Sequence, residues 1–278
     1  MDNKKFIEQK WQNATIQENF IFSRTFESHS ELCIQLLEMI LQIKIAKIIF
    51  LEREKTIETR TDSKGIRLDV YAEDDANRTF DLEMQILDKN NIAKRMRYYQ
   101  GLIDGEKLKP GQLYNELGES FIIFICPFDK FKKGRHIYTF REFCVEDNEI
   151  ELHDGATKIF LNTKGTCDDV SEDIKNFLNY VESGIVVGDF VKRLDAAVWE
   201  VKTNQRARLD FMTYEMALLE SKAEGIEKGI EQGEEQKADS IAEKMILGGM
   251  PFEKIAEFTE LSIERIKALA KKILPTDS

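Results

Sequence analysis

A chain of 278 residues, 42% hydrophobic and 33% charged, is long enough to bury a substantial core and reads as one main domain with an appendage. It holds no apolar run near the roughly 20 residues that cross a bilayer, and MDNKKFIEQKWQ lacks a signal-peptide-like stretch, so a cytoplasmic protein with no membrane partner is expected. A formal net charge of −11 weighs against non-specific attraction to a polyanion, although local charge can differ from the total.

Residues 13–28 are polar and aromatic by turns. From Ser30 to Phe50 the pattern ELCIQLLEMILQIKIAKIIF predicts one long amphipathic helix. Leu51 to Arg60 reads as a lead-in strand or an ordered loop. Between Gly65 and Gln85 the period changes to two, the signature of strands. Ile66, Leu68 and Val70 share one face, and Arg67, Asp69 and Tyr71 the other. Further on, Phe80, Leu82, Met84 and Ile86 oppose Asp81, Glu83 and Gln85. Asp74-Asp75-Ala76-Asn77 reads as the turn between them. Paired as a hairpin, the strands bring Asp69 and Glu83 close enough to share a cation, since two adjacent carboxylates repel unless positive charge lies between them. That is the geometry of a metal-dependent phosphodiesterase, although outward acids on a surface hairpin are an ordinary solvated face.

Residues 90–104 predict a helix, and Pro110-Gly111 breaks the chain. SFIIFICPF at 120–128 reads as a buried strand, with further strands at 136–145 and 157–161. Beyond Asp168 the pattern is helical throughout: 170–182, 188–202, 205–237, 238–248 and 251–273. Helix and strand segregate, which gives an α+β or small α/β core over about 13–165 followed by helical additions. Within the tail, Gly225, Gly229 and Gly233 recur every fourth residue of a charged helix. Each costs about 0.5–1 kcal/mol relative to alanine, which suggests close packing on a partner helix or a weak, mobile helix. The last forty residues have helix-turn-helix spacing, with Ser262 as the cap of the final helix. Their mixed face, Glu260 and Glu264 against Arg265, Lys267, Lys271 and Lys272, suits a packing bundle equally well.

Cys33, Cys126, Cys144 and Cys167 form no CxxC pair, and His29, His136 and His153 are too few for an all-histidine metal centre. A cation site here rests on carboxylates, which favours magnesium or manganese over zinc.

Four features in order carry a resemblance: a helix beginning at Glu31 after Phe20 to Phe26, KGIRLDV at 64–70, DLEMQI at 81–86, and Arg95-x-x-Tyr98-Tyr99 followed by GQLYNEL and an apolar strand. Together they resemble the recombination-promoting nucleases, a transposase-like branch of the PD-(D/E)XK nuclease superfamily, over roughly residues 13–270. The resemblance implies a restriction-endonuclease-like core at 13–165, with a central mixed sheet flanked by helices. A helical extension at 166–237 and a small helical unit at 238–278 follow. It implies that Asp69 and Glu83 hold Mg2+ or Mn2+, with the Met84 backbone carbonyl as a further ligand and Glu31 as the acid of the first core helix. Gln85 stands where most of the superfamily has lysine. A glutamine carries no positive charge and acts only through hydrogen bonds, so Lys64 or Arg95 is expected to supply that charge. Arg67, Arg95 and Tyr98 are expected to contact substrate. The implied activity is metal-dependent cleavage of DNA, linked to recombination or a mobile element. Two competing readings are a non-catalytic DNA-binding or scaffold protein that retains the fold, and a protein whose C-terminal helices drive homo-oligomer formation.

Overall fold

The computed structural model describes residues 3–58 and 64–273, and the chain divides into two compact units, Met1–Phe211 and Met212–Ser278. The first unit is built on a six-stranded sheet. Its strands are β1 (Ile48–Ile57), β2 (Ile66–Asp74), β3 (Thr79–Met84), β4 (Ser120–Cys126), β5 (Ile137–Phe140) and β6 (Ala156–Asn162), in spatial order β1-β2-β3-β4-β6-β5. The sheet is mixed: β1, β2 and β3 run antiparallel, β3, β4 and β6 parallel, and β5 antiparallel to β6. A parallel pair needs a crossover, and α4 (Ile92–Lys107) lies in the chain between β3 and β4.

The β2–β3 connection explains the register of the hairpin. Asp74 accepts hydrogen bonds from the amides of Ala76 (3.0 Å) and Arg78 (2.9 Å), and from Arg78 Nε (2.6 Å), while Asn77 takes a left-handed φ of 60°. The turn sets Val70 opposite Leu82 and Tyr71 opposite Asp81.

Every position of β3 and β4 is buried, so both faces of these central strands are covered. Beneath α4, Met96, Tyr99 and Ile103 pack with Tyr71, Ile122, Phe124 and Phe160. The alternate residues of the strands meet α2 (Asn19–Ser28), which packs on β1, β2 and β3, and carries the buried Phe20, Phe22 and Phe26. Outside it lie α3 (Ser30–Leu41), α5 (Glu172–Ser183) and α6 (Asp189–Thr203). Trp11 of α1 (Asn3–Asn13) stacks 5.1 Å from Phe211, and Phe211 lies 5.3 Å from Phe20, so the start of α7 (Gln205–Leu247) belongs to this core.

The second unit holds the rest of α7, with α8 (Phe252–Thr259) and α9 (Ile263–Ile273). Its core is Ala242, Ile246, Ile255, Ile266, Leu269 and Ala270. Gly249 ends α7 at φ 73°, with Met250 N bonded to Met245 O (3.1 Å) and Gly249 N to Ile246 O (3.0 Å), the paired pattern of a glycine C-terminus. Ser262 caps α9 through Arg265 N (3.2 Å), as its sequence suggests.

Three expectations need correction. The helix predicted over 30–50 ends at Leu41, where Gln42 turns left-handed (φ 55°), and residues 48–50 open β1. The β-branched Ile43, Ile45, Ile48 and Ile49 favour extended backbone, which overrides the helical periodicity. The predicted strand at 136–145 is reduced to β5, with an isolated bridge joining Phe143 to Glu151. The two segments predicted at 205–237 and 238–248 form a single 43-residue helix. Part of the predicted lead-in, 59–60, lies outside the described residues. Among the described residues no helix is long and apolar enough to cross a membrane.

Candidate active site

Continuing the β2–β3 register one residue beyond Val70 and Leu82 sets Asp69 opposite Glu83. Each carboxylate is held by the backbone of the other strand. Asp69 N donates to Glu83 Oε1 (2.9 Å), and Met84 N donates to Asp69 Oδ2 (3.0 Å). Helix α2 adds a third hold, because Asn19 Nδ2 donates to both carboxylate oxygens of Asp69 at 3.0 Å.

From the first turn of α4, Arg95 reaches the same place. Its Nη2 contacts Glu83 Oε2 (3.2 Å) and Tyr99 Oη (2.8 Å), and its Nη1 donates to Gln85 Oε1. The guanidinium also lies over the rings of Tyr99 (5.3 Å) and Phe124 (5.2 Å), an arrangement that a planar delocalised cation favours. The i, i+4 spacing of Arg95 and Tyr99 puts them on one face of α4. Gln85 Nε2 in turn donates to Leu87 O (2.5 Å), so both ends of the amide are held.

Three carboxylates are nearly enclosed here: Asp69 is 7% exposed, Glu83 3% and Asp81 0%. Burial pushes Asp69 up to about 6, against the lowering influence of Met84 N–H, Asn19, Arg67 and Arg95. Burial raises Glu83 well above the ordinary carboxylate range, and the negative charges of Asp69 and Asp81 raise it further. Asp81 is raised for the same reasons, burial first and then the charge on Asp69.

Arg95 also lines a cleft of about 410 Å³, together with Lys64, Arg67, Asn91, Lys94 and Tyr98 among others. Tyr98 Oη donates to Lys64 O across it.

Residues 17–178, more than half of the chain, match the model of the PD-(D/E)XK nuclease family transposase. The chain belongs to this family. No match to a curated protein or to a solved structure accompanies that finding. The mixed sheet with flanking helices is the restriction-endonuclease-like fold that PD-(D/E)XK membership entails, and such nucleases generally use divalent metals.

The residues present fit such an ion. When all are ionised, three carboxylates against the two guanidiniums of Arg95 and Arg67 still leave an excess of negative charge, supplied by the hard oxygen donors that Mg2+ and Mn2+ prefer. Both oxygens of Asp81 are buried without a backbone or cationic hydrogen-bond donor among the described residues, their polar neighbour being the carboxyl of Glu83. In the present arrangement Asp69 and Glu83 are turned onto their hydrogen-bond partners. Among the described residues no three histidine, cysteine or carboxylate side chains converge on one cation position.

Of the residues singled out in the sequence, the fold brings Asp69, Glu83, Gln85 and Arg95 into one hydrogen-bonded group, and sets Lys64, Arg67 and Tyr98 around the adjoining cleft. Met84 contributes its amide to Asp69. Glu31 lies in the first turn of α3 with an exposed carboxylate 3.5 Å from His29 Nδ1. Asn19 is the residue by which the helical layer reaches Asp69, a contact across 50 positions that no local pattern discloses. Lys94 was open to discovery from its place one residue before Arg95, and Asp81 from its place two residues before Glu83.

Proposed function

We propose that this protein is a divalent-cation-dependent DNA endonuclease that hydrolyses phosphodiester bonds in recombination or in the movement of a mobile element, acting in the cytoplasm. The observation that carries this reading is the pair Asp69–Glu83, two buried carboxylates each fastened by the other's strand, with Arg95 joining Glu83 to an adjoining cation-lined cleft. Asp69 and Glu83 are the residues to hold Mg2+ or Mn2+, with the Met84 carbonyl as a further oxygen. A bound divalent ion would neutralise charge on the scissile phosphate and make a water more acidic.

The chain's own groups divide the remaining work. Arg95 supplies the positive charge that neutral Gln85 lacks, and fixes the orientation of Gln85 through Oε1. With Oε1 held by Arg95 and Nε2 by Leu87 O, Gln85 keeps one N–H for a water or a phosphate oxygen. Lys64, Arg67 and Lys94 place phosphates along the cleft, contacts that set register without reading sequence. Half-exposed Tyr98 offers a ring on which a base stacks. DNA is thus the first partner. A second copy is the other, pairing through α7, where Ile226 and Ile230 are 55% and 57% exposed beside the spaced glycines.

Calorimetric titration of Mg2+ and Mn2+ into wild type and Asp69→Ala, with and without a duplex, tests the reading when plasmid cleavage is run on the same samples. Saturable binding and cleavage, both abolished by the substitution, are expected. Undiminished cleavage by Asp69→Ala would sink the proposal. Cation binding without cleavage of any DNA would favour a non-catalytic protein on the same fold. Lys64→Ala and Arg95→Ala are expected to slow steady-state cleavage, and unchanged rates would remove them from the charge-supplying role.

A further inference from the structure

Asp81 has no task in a two-carboxylate site, yet its surroundings are the least ordinary in the molecule. It is fully buried in the middle of β3, between Tyr71 on β2 and Ile122 on β4. Both neighbours belong to the apolar layer that α4 covers. Neither of its oxygens receives a backbone amide or a cationic side chain among the described residues, and the hydrogen bond open to it comes from the carboxyl of Glu83, when that group carries a proton. The polar group beside it is another carboxylate, Glu83, and the charge on Asp69 also bears on it. Arg95 acts on it electrostatically, but that guanidinium is already bonded to Glu83, Gln85 and Tyr99.

The same fold satisfies a buried acid elsewhere. Asp74 is as inaccessible as Asp81, and it receives two backbone amides and Arg78. Removing a carboxylate from water without a cation or a strong donor is strongly unfavourable, so the neighbouring carboxyls of Asp81 and Glu83 are both ionised only where something else supplies positive charge. With a period of two, Asp81 and Glu83 project from the same face of β3. The cation position at Glu83 is therefore the nearest place from which that charge can come.

We propose that Asp81 is a third anionic side chain of the cation site, standing behind Glu83 and adding its charge to the field that holds the ion without ligating it. This rests on the reading of Asp69 and Glu83 as the cation's ligands. It assigns Asp81 a positioning role, and it predicts that the residue weakens the metal-free fold and strengthens the loaded one.

The test is Asp81→Asn, which keeps the shape and removes the charge. It is read by Mn2+ calorimetry on the full chain, and by thermal unfolding in chelator and in saturating Mn2+. The metal-free variant is expected to melt above metal-free wild type. Its Mn2+ affinity is expected to fall about 10- to 100-fold, the usual range when a group supporting a metal's ligands is lost, and its Mn2+-induced rise in melting temperature shrinks accordingly. Asp81→Leu, apolar and of similar length, carries the same two expectations should the asparagine variant fail to fold. Wild-type affinity in the variants would overturn this inference alone, as would a lower metal-free melting temperature with affinity intact. Wild type that binds no Mn2+, even with duplex present, would overturn the parent reading and this inference with it.

Discussion

Asp69 ties the site to pH. Its metal-free value near 6 lies above that of an unfolded aspartate, so the protonated form is favoured by folding. The sign follows: this contribution to stability is fully present below about pH 4, the unfolded value, and is lost as pH rises through about 6. Buried Glu83 and Asp81 act in the same direction. Chelated protein is therefore expected to lose stability between those limits, and Asp69→Asn to flatten that slope, both read from denaturant midpoints across pH. A wild-type midpoint that rises over the same window would contradict the assignment. Arg95 makes the complementary case. Arg95→Met removes the donor that bridges Glu83, Gln85 and Tyr99 and is expected to cost about 1–3 kcal/mol in metal-free protein, measured by urea unfolding. Arg95→Lys recovers little of it, because an ammonium cannot bridge Glu83, Gln85 and Tyr99 as the guanidinium does. Asp69 and Glu83 are legible in the sequence because strand period and the Asp74 turn together dictate which residues face each other. Asp81 shares that period, but its burial depends on α4, whose docking no local pattern reveals.

At the scale of elements, legibility follows the strength of competing local preferences. α4, β4 and α5 stand close to their predicted places because pattern, breakers and caps agree, as at Ser171, whose Oγ accepts from Ile174 N. Residues 42–50 fail that test: helical spacing of apolar positions coincides there with a β-branched run, and the edge of the sheet decides for strand. In α7 the conflict runs the other way, since three glycines sit inside an unbroken helix. A Cβ built at Gly225, Gly229 or Gly233 meets nothing within 4 Å, so no contact within this chain requires them. Each change to alanine is expected to stabilise the helix by about 0.5–1 kcal/mol, seen as slower amide exchange across 222–236 in dilute protein. If a second copy packs against the glycines, the triple variant associates more weakly by sedimentation even as its helix grows firmer. Unchanged association would remove the glycines from that interface.

Across the whole molecule, the net charge of −11 says little about the one surface that matters, since Lys64, Arg67, Lys94 and Arg95 gather at a single cleft. Position relative to the sheet, which composition does not encode, is what separates the acidic total from the basic cleft. The boundary between the two units likewise falls inside a continuous helix, where no linker composition announces it. The first turns of α7 complete the first unit: Ala207 and Phe211 are buried there, and Arg208 pairs with Glu8 at 2.6 Å. A chain ended after residue 204 loses Phe211 from its contacts with Trp11 and Phe20, and deletion of a buried phenylalanine costs about 3–5 kcal/mol. A chain ended after residue 222 keeps that cluster. The longer truncation product is expected to unfold at the temperature of the full chain's first unit and to bind Mn2+ with undiminished affinity, whereas the shorter one melts earlier. Scanning calorimetry and titration on both chains decide the matter, and mass measurement on the same samples shows whether self-association leaves with residues 223–278. Loss of Mn2+ binding from a folded 1–222 chain would mean that the carboxylate site is not complete within the unit that carries it.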